Sequence, residues 1–193
     1  MRFARKQSPN ALAGLKYPND RNQIRNILRA EQKGFCAYTE IFLDEVTYTP
    51  EIEHFYPASD SLYAHLISDY NNLYLTTPKI NRAKSDILPP AVALYPKDIW
   101  DKLLCSTKYF FVYPNPNLLP TAAEQLAVSA LINYLDLNNE GLTKKRREHV
   151  RMVAEFCKKK RKQEIVEAIK AYPQTCLHFP SFLETYFKID LGL

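Results

Sequence analysis

Glu53 and His54 stand side by side in "EIEHFYPAS", residues 51 to 59, in a chain with only four histidines. A neutral imidazole, with an ordinary pKa of about 6.5, takes a proton from water at physiological pH. The carboxylate beside it can ligate a hard divalent cation such as Mg²⁺ (or Mn²⁺), which prefers oxygen donors and keeps several waters. Asn72 lies eighteen residues after His54, and Asn81 nine residues after Asn72. Asn81 offers an amide oxygen as a second metal ligand. Asn72 can give or accept a hydrogen bond that holds the imidazole in one orientation. Lys84, one helical turn beyond Asn81, is placed to reach a phosphate oxygen. These types suit phosphodiester hydrolysis, with the cation stabilising charge on the scissile phosphate and the leaving oxygen. Taken alone, Glu53-His54 reads as a structural acid–imidazole pair at a strand end; the residues downstream turn the reading toward a site.

These side chains meet only if the segments between them fold back. "NDRNQIRNILRAEQKG" reads as a helix, with Asn19 or Asp20 as its cap, Ile24, Ile27 and Leu28 as its apolar stripe and Gly34 as its stop. From Phe35 to Phe55 β-branched and aromatic residues predict two short strands, "FCAYTEIF" and "PEIEHFY", joined by a turn around Asp44-Glu45. A polar stretch follows Pro57. "NNLYLTTP" is then a short extended piece, and "PKINRAKSD" a short helix that starts at Pro78 and stops before Pro89-Pro90. Residues 35 to 88 thus read as strand, strand, loop, short helix, the helix packing back across the hairpin.

Downstream, "YPKDIWDKLLCS" reads as a helix, "KYFFVYPNPN" as a strand ending at Pro114, and "TAAEQLAVSALINYL" as a helix. "LTKKRREHVRMVAEFCKKKRKQEIVEAIKAY" is the longest helical pattern, with Val150, Val153, Phe156, Ile165 and Ile169 on its inner side. The apolar tail "SFLETYFKIDLGL" is either core packing or a docking surface for a partner.

"IEHFYP" followed by "NLYLTTPKINRAKSD" resembles the motif of the HNH endonucleases, the ββα-metal nucleases, in the variant with asparagine at the final position. The Asn72-to-Asn81 spacing and the "NRAKSD" ending resemble the HNH domain of RNA-guided CRISPR nucleases. "ILRAEQKGFCAYTE" and, more loosely, "LINYLDLNNEGLTKKRREHV" resemble segments of the HNH proteins of retron and Septu anti-phage systems. The core likeness covers roughly residues 22 to 88. It implies His54 as general base, Glu53 and Asn81 as metal ligands, and Asn72 as the residue that orients His54. It also implies a nucleic-acid substrate and, for Septu-type proteins, an ATPase partner of the SMC/ABC kind. Many relatives hold a structural zinc with a CxxC in each of two knuckles. Here the corresponding stretches are "CAYT" at 36–39 and "TPKI" at 77–80, so only Cys36 remains and Thr39, Thr77 and Ile80 cannot replace thiolates. Zinc is not expected, and packing must hold the hairpin.

The formal net charge is +5, but residues 144 to 162 carry ten Lys or Arg against two Glu. Such a block attracts a polyanion through counterion release, or it is simply a solvated helix face. Arg82, Lys84, Lys144, Lys145, Arg146, Arg147 and Arg151 are the candidate nucleic-acid contacts, to backbone rather than bases, since few aromatics lie among them. Of the other histidines, His65 reads as a surface residue, His149 as part of the basic face and His178 as a packed or interface residue. Tyr56 and Tyr63 can stack on a base, though with thirteen tyrosines in the chain packing is the better expectation. The four scattered cysteines form no CxxC and read as buried thiols. No apolar run approaches the roughly 18 residues of a membrane span, and "MRFARKQSPN" lacks the apolar segment of a signal peptide, so a cytoplasmic location is expected.

The expectation is an α+β protein with a ββα-metal (HNH) core in residues 1–90 and a mainly helical C-terminal region in 91–193, packed as one unit. Its expected function is metal-dependent endonuclease action on DNA or RNA, tRNA among them, as the effector of an anti-phage system. The alternatives are an inactive HNH-fold subunit that binds nucleic acid or assembles a complex, and a protein-interaction scaffold that touches no nucleic acid.

Overall fold

The computed structural model describes residues 11–44, 48–84, 98 and 100–193. The chain is mixed α+β, with two small antiparallel sheets. Helix α1 spans Arg21–Glu31 and buries Ile24 and Leu28, one turn apart on one face. Asp20 occupies its N-cap position without capping it; the carboxylate accepts instead from the Lys16 N–H at 2.7 Å. Gly34 takes φ +78° and donates to the Arg29 carbonyl at 2.9 Å, closing the helix end. A side chain there would crowd the Phe42 ring, 3.2 Å from the position of a Cβ.

The chain then departs from the predicted hairpin. Phe35 and Phe42 meet in a single bridge, and the residues between them make a tight loop instead of a strand. Cys36 N–H donates to Ile41 O at 2.8 Å, Glu40 N–H donates to Cys36 O at 3.1 Å, and Glu40 takes φ +61°. Half of the expected connecting turn, Glu45, lies outside the described residues. Strand β1 (Glu51–His54) pairs with β2 (Leu73–Thr76), with His54 opposite Leu73 and Glu51 opposite Thr76. Helix α2 (Pro78–Ala83) follows directly, started by Pro78 at its first position. The order is therefore loop, strand, loop, strand, helix. The long polar connection after Pro57 is wound into two 3₁₀ turns, Ser61–Leu66 and Tyr70–Asn72, capped by the Asp60 and Asp69 side chains.

Buried Gln32 joins three of these pieces. Its amide donates to Phe35 O at 2.7 Å and Leu75 O at 2.9 Å, and accepts from Leu75 N–H at 2.8 Å. The Cys36 thiol faces the Thr39 side chain and the Thr77 backbone, and burial pushes its pKa up. Gln32 and the packing around Cys36 thus tie α1, the loop after it and β2 together.

In the second half, the helix expected from "YPKDIWDKLLCS" lies partly outside the described residues, and its described part holds a 3₁₀ turn at Trp100–Lys102 followed by strand β3 (Leu103–Cys105). β3 pairs with β4 (Val112–Pro114). Helix α3 (Ala122–Tyr134) opens on a Thr121/Glu124 capping box, with the Glu124 N–H donating to Thr121 Oγ1 at 3.2 Å. The long basic pattern is two helices, α4 (Glu140–Phe156) and α5 (Lys162–Ala171). Between them Lys159 adopts φ +69°, which no helix interior permits. Val150, Val153, Ile165 and Ile169 face inward as expected, whereas Phe156 is exposed.

Short helices α6 (Pro173–Cys176) and α7 (Pro180–Phe187) complete the chain. Phe182, Leu183 and Leu191 are buried, which makes this part of the tail core packing. The tail also grips the loop after α1. Phe179 N–H donates to Glu40 O at 2.8 Å, Ser181 Oγ donates to Glu40 Oε1 at 2.5 Å, and Phe42 N–H donates to His178 Nδ1 at 3.0 Å. Buried residues from both halves form one apolar cluster.

Candidate active site

Side chains alternate across a strand, so β1 presents Glu51 and Glu53 to one face and Ile52 and His54 to the other. α2 lies across the acidic face. Its Asn81 Nδ2 donates to Glu51 Oε2 at 3.2 Å, and its C-cap residue Lys84 forms an ion pair with Glu53. Two carboxylates at i, i+2 on a strand thus meet two helical residues at i, i+3. Sequence spacing singled out Glu53 and missed Glu51, although strand alternation puts both on one face.

Glu53 is only 1% exposed. A charge this deep needs a partner, and it has two: the Lys84 ammonium and the Tyr38 hydroxyl, which donates to the carboxylate. Burial and then the negative Glu53 hold the Tyr38 phenol well above its usual pKa range, so it remains a donor. Lys84 also donates to the carbonyls of His54 and of Phe55, the latter at 2.8 Å. Its three protons are therefore directed at the end of β1. The expectation that Lys84 reaches out to a phosphate or lies on a nucleic-acid surface is corrected: it is buried and ties α2 to the strand.

His54 Nε2 lies 2.9 Å from the Ile67 carbonyl oxygen. A carbonyl only accepts, so Nε2 carries the proton and the lone pair of the neutral ring is on Nδ1. Burial lowers the His54 pKa, with the Ile67 bond and Glu53 opposing and Lys84 reinforcing the shift. The Tyr17 ring stands edge-on to the imidazole with centroids 4.8 Å apart, and Tyr17 N–H donates to Ser68 Oγ at 3.0 Å.

Asn72 is fully buried and acts at one remove from the imidazole. Its Oδ1 accepts from Tyr56 N–H at 2.6 Å, and its Nδ2 donates to Tyr56 O at 3.1 Å and Leu66 O at 3.2 Å. The expected direct bond to His54 is replaced by a clamp on the loop whose next carbonyl, that of Ile67, receives the histidine proton. A hydrogen-bond acceptor supplied by backbone leaves no mark in residue types, which is why Ile67 could not be foreseen.

The oxygens of Glu51 and Glu53 and the Asn81 amide oxygen are hard donors and fit an oxygen-seeking divalent cation. The expected pairing of Glu53 with Asn81 is modified, since Asn81 bonds Glu51, and an ion on Glu53 would compete with Lys84. Among the described residues no group of three His, Cys, Asp or Glu is clustered as a metal site.

The basic residues divide by depth. Lys144, Lys145, Arg147 and Arg151 on α4 and Arg82 on α2 are exposed. Arg146 is fully buried, donates to Leu137 O at 2.7 Å and Phe110 O at 3.2 Å, and stacks 4.8 Å from the Phe182 ring centroid. Its expected nucleic-acid contact is corrected to a core role. His149, expected on the solvated face, instead packs against His178 at 5.2 Å, with Nε2 3.1 Å from Cys176 O. Burial, then His178, lowers its pKa to about 4. His65 is exposed, and Tyr56 packs on Tyr63 at 4.8 Å. No helix among the described residues is long and apolar enough to cross a membrane. No protein-family model matches the chain, and no curated protein matches it at a significant level.

Proposed function

We propose that the protein is a metal-dependent endonuclease of the HNH, ββα-metal type, in which His54 is the general base. What carries the reading is the Nε2–H···O=C bond from His54 to Ile67, which fixes the tautomer with Nδ1 as the basic nitrogen. In that role Nδ1 accepts a proton from water as the water oxygen bonds to phosphorus, and the P–O bond to the leaving oxygen breaks. The depressed pKa keeps the ring neutral, and so ready to accept, through the physiological range. Glu53 and Asn81, with Glu51 beside them, would hold Mg²⁺ or Mn²⁺ across the end of β1 from His54, where Lys84 bridges Glu53 and the His54 carbonyl; when bound, the ion would supply charge stabilisation to the phosphate and the leaving oxygen. Asn72 is a positioning residue that sets the loop bearing Ile67, and Lys84 positions Glu53 and the strand end. Arg82, Lys144, Lys145, Arg147 and Arg151 hold the phosphate backbone.

In this reading the protein acts in the cytoplasm on DNA or RNA, tRNA included, as an anti-phage effector with an SMC/ABC-type ATPase. The test is incubation with duplex DNA, single-stranded DNA and total RNA, in Mg²⁺ or EDTA, alone and with a neighbouring ATPase. The expected result is Mg²⁺-dependent cleavage that His54→Ala abolishes. A His54→Ala protein that cuts as fast as the parent overturns it.

One observation favours a second reading, an inactive HNH-fold subunit that binds nucleic acid: Lys84 already neutralises Glu53 where a metal would. Salt-sensitive binding with no cleavage in Mg²⁺ or Mn²⁺, even with the ATPase present, is the outcome that reading requires.

A further inference from the structure

α2 has a second side. Away from Glu51, its residues Lys79, Ile80 and Arg82 line a hollow of about 300 Å³ whose other walls are the start of α4 and the segment at Tyr48. That volume is at the lower end of small-ligand sites, which run from roughly 300 to 1,000 Å³. The floor is apolar, from Ile41, Ile80 and Leu142, all buried. The rim is cationic, with Lys79, Arg82 and Lys145 all exposed and no carboxylate in the lining among the described residues.

The three cations converge from two helices. Lys79 crosses from α2 to lie over Gly141, where a Cβ would stand 3.7 Å from its Nζ. Lys145 Nζ lies 5.2 Å from the centroid of the Tyr48 ring and 3.5 Å from its hydroxyl. Three ammonium or guanidinium groups around an aromatic ring and an apolar floor make an amphipathic receptor. It suits a ligand with one flat ring and one phosphate. An inorganic anion leaves the floor unused, and an apolar ligand leaves the charges uncompensated.

The geometry points to this hollow as a nucleotide-binding site, with the nucleobase on the floor beside Tyr48 and the phosphate among Lys79, Arg82 and Lys145. The nucleotide has two sources, a free nucleoside monophosphate or one unpaired nucleotide of a strand running over α2. Only the second rests on the nuclease reading. Because His54 lines no part of this hollow, binding here is read separately from the proposed base.

The test is equilibrium binding, by calorimetry, of the four ribonucleoside monophosphates, inorganic phosphate and a ten-nucleotide single strand to the full chain. Parent, Tyr48→Ala, Lys145→Ala, Lys79→Ala and Lys170→Ala proteins are compared, with thermal melts confirming the fold. Saturable binding of a monophosphate, weakened tenfold or more by Lys145→Ala and Tyr48→Ala and unchanged in Lys170→Ala, an exposed lysine on α5, supports a free-nucleotide site. Binding of the strand alone, with photo-crosslinking to Tyr48 that Lys79→Ala reduces, supports the strand source. Phosphate binding as tight as any nucleotide, or no effect of Tyr48→Ala and Lys145→Ala on any ligand, overturns the proposal. Retained nucleotide binding by a protein that cleaves nothing in Mg²⁺ or Mn²⁺, even with the ATPase present, sinks the nuclease reading and leaves this one standing.

Discussion

The Ile67 carbonyl oxygen accepts the Nε2 proton of His54 at 2.9 Å, and this one contact decides which nitrogen of the ring is basic. It comes from the loop between β1 and β2, so the imidazole is oriented by a backbone group and not by an acidic side chain. Removing the imidazole with His54→Ala should cut Mg²⁺-dependent cleavage by at least 10²-fold, the lower end of what general-base groups contribute. The thermal midpoint should stay within a few degrees. The depressed pKa places the acid limb of the parent's rate profile below the ordinary 6.5, and a limb at or above 6.5 would contradict the assignment.

Asn72 tests whether orientation acts through the loop. Asn72→Asp keeps the acceptor for Tyr56 N–H and removes the donor to Tyr56 O and Leu66 O. Leaving such half-buried carbonyls without their donor costs at most roughly 1–3 kcal/mol each, so the melt should fall. The readout specific to positioning is kinetic: kcat should drop with KM little changed, and the acid limb should move as Ile67 loosens. A variant that loses stability with an unaltered pH profile would assign Asn72 a structural role alone.

The Lys84–Glu53 pair predicts an unusual response to metal. Lys84→Met leaves a carboxylate buried beside Tyr38 without its cation, which costs about 3–5 kcal/mol. Adding Mg²⁺ at millimolar concentration should then raise the melting temperature of Lys84→Met more than that of the parent, because the ion no longer competes with an ammonium. The double variant Lys84→Met/Glu53→Gln should recover stability and lose the Mg²⁺ response. Equal metal shifts in all three proteins would remove Glu53 from the ligand set.

Much of this site was legible because its spacings are short. Strand alternation places Glu53 next to His54 on opposite faces, and Pro78 starts a helix that brings Asn81 and Lys84 back over the strand. The hairpin partner was not legible. "FCAYTEIF" has the β-branched and aromatic texture of a strand, yet it closes into a loop because Glu40 takes a left-handed turn held by Ser181 and Phe179, about 140 residues away. Only a long-range contact distinguishes the two outcomes. Arg146 fails for the same reason. In "KKRREH" nothing separates it from Arg147, but the helix turns it inward to two carbonyls and the Phe182 ring.

That division of the basic helix has a measurable consequence. The triple variant Lys144→Ala/Arg147→Ala/Arg151→Ala removes exposed charges and should weaken nucleic-acid binding with little effect on the melt. On duplex DNA the salt slope should flatten by up to about 2.7, at roughly 0.9 per lost phosphate contact. Arg146→Ala should do the reverse, lowering stability and leaving the salt slope unchanged. If Arg146→Ala flattens the slope while the melt is unmoved, its placement in the core is wrong.

The half-buried pair His149 and His178 makes the junction between α4 and the loop at Phe42 sensitive to acid. Both pKa values are lowered by burial, His149 to about 4 from 6.5, so the folded state favours the neutral rings. The stabilisation is present above the unfolded value of 6.5 and is lost as pH falls toward 4. For His149 alone, at 1.36 kcal/mol per unit, it amounts to roughly 3 kcal/mol. Protonating His178 at Nδ1 also removes the acceptor for the Phe42 N–H, 3.0 Å away. Urea melts between pH 7.5 and 4.5 should show stability falling through this window. In His149→Phe, which keeps the packing against Phe179 without the titration, the fall should be smaller. A parent whose stability is flat from pH 7 to 4.5 would show that these rings are not held neutral by the fold.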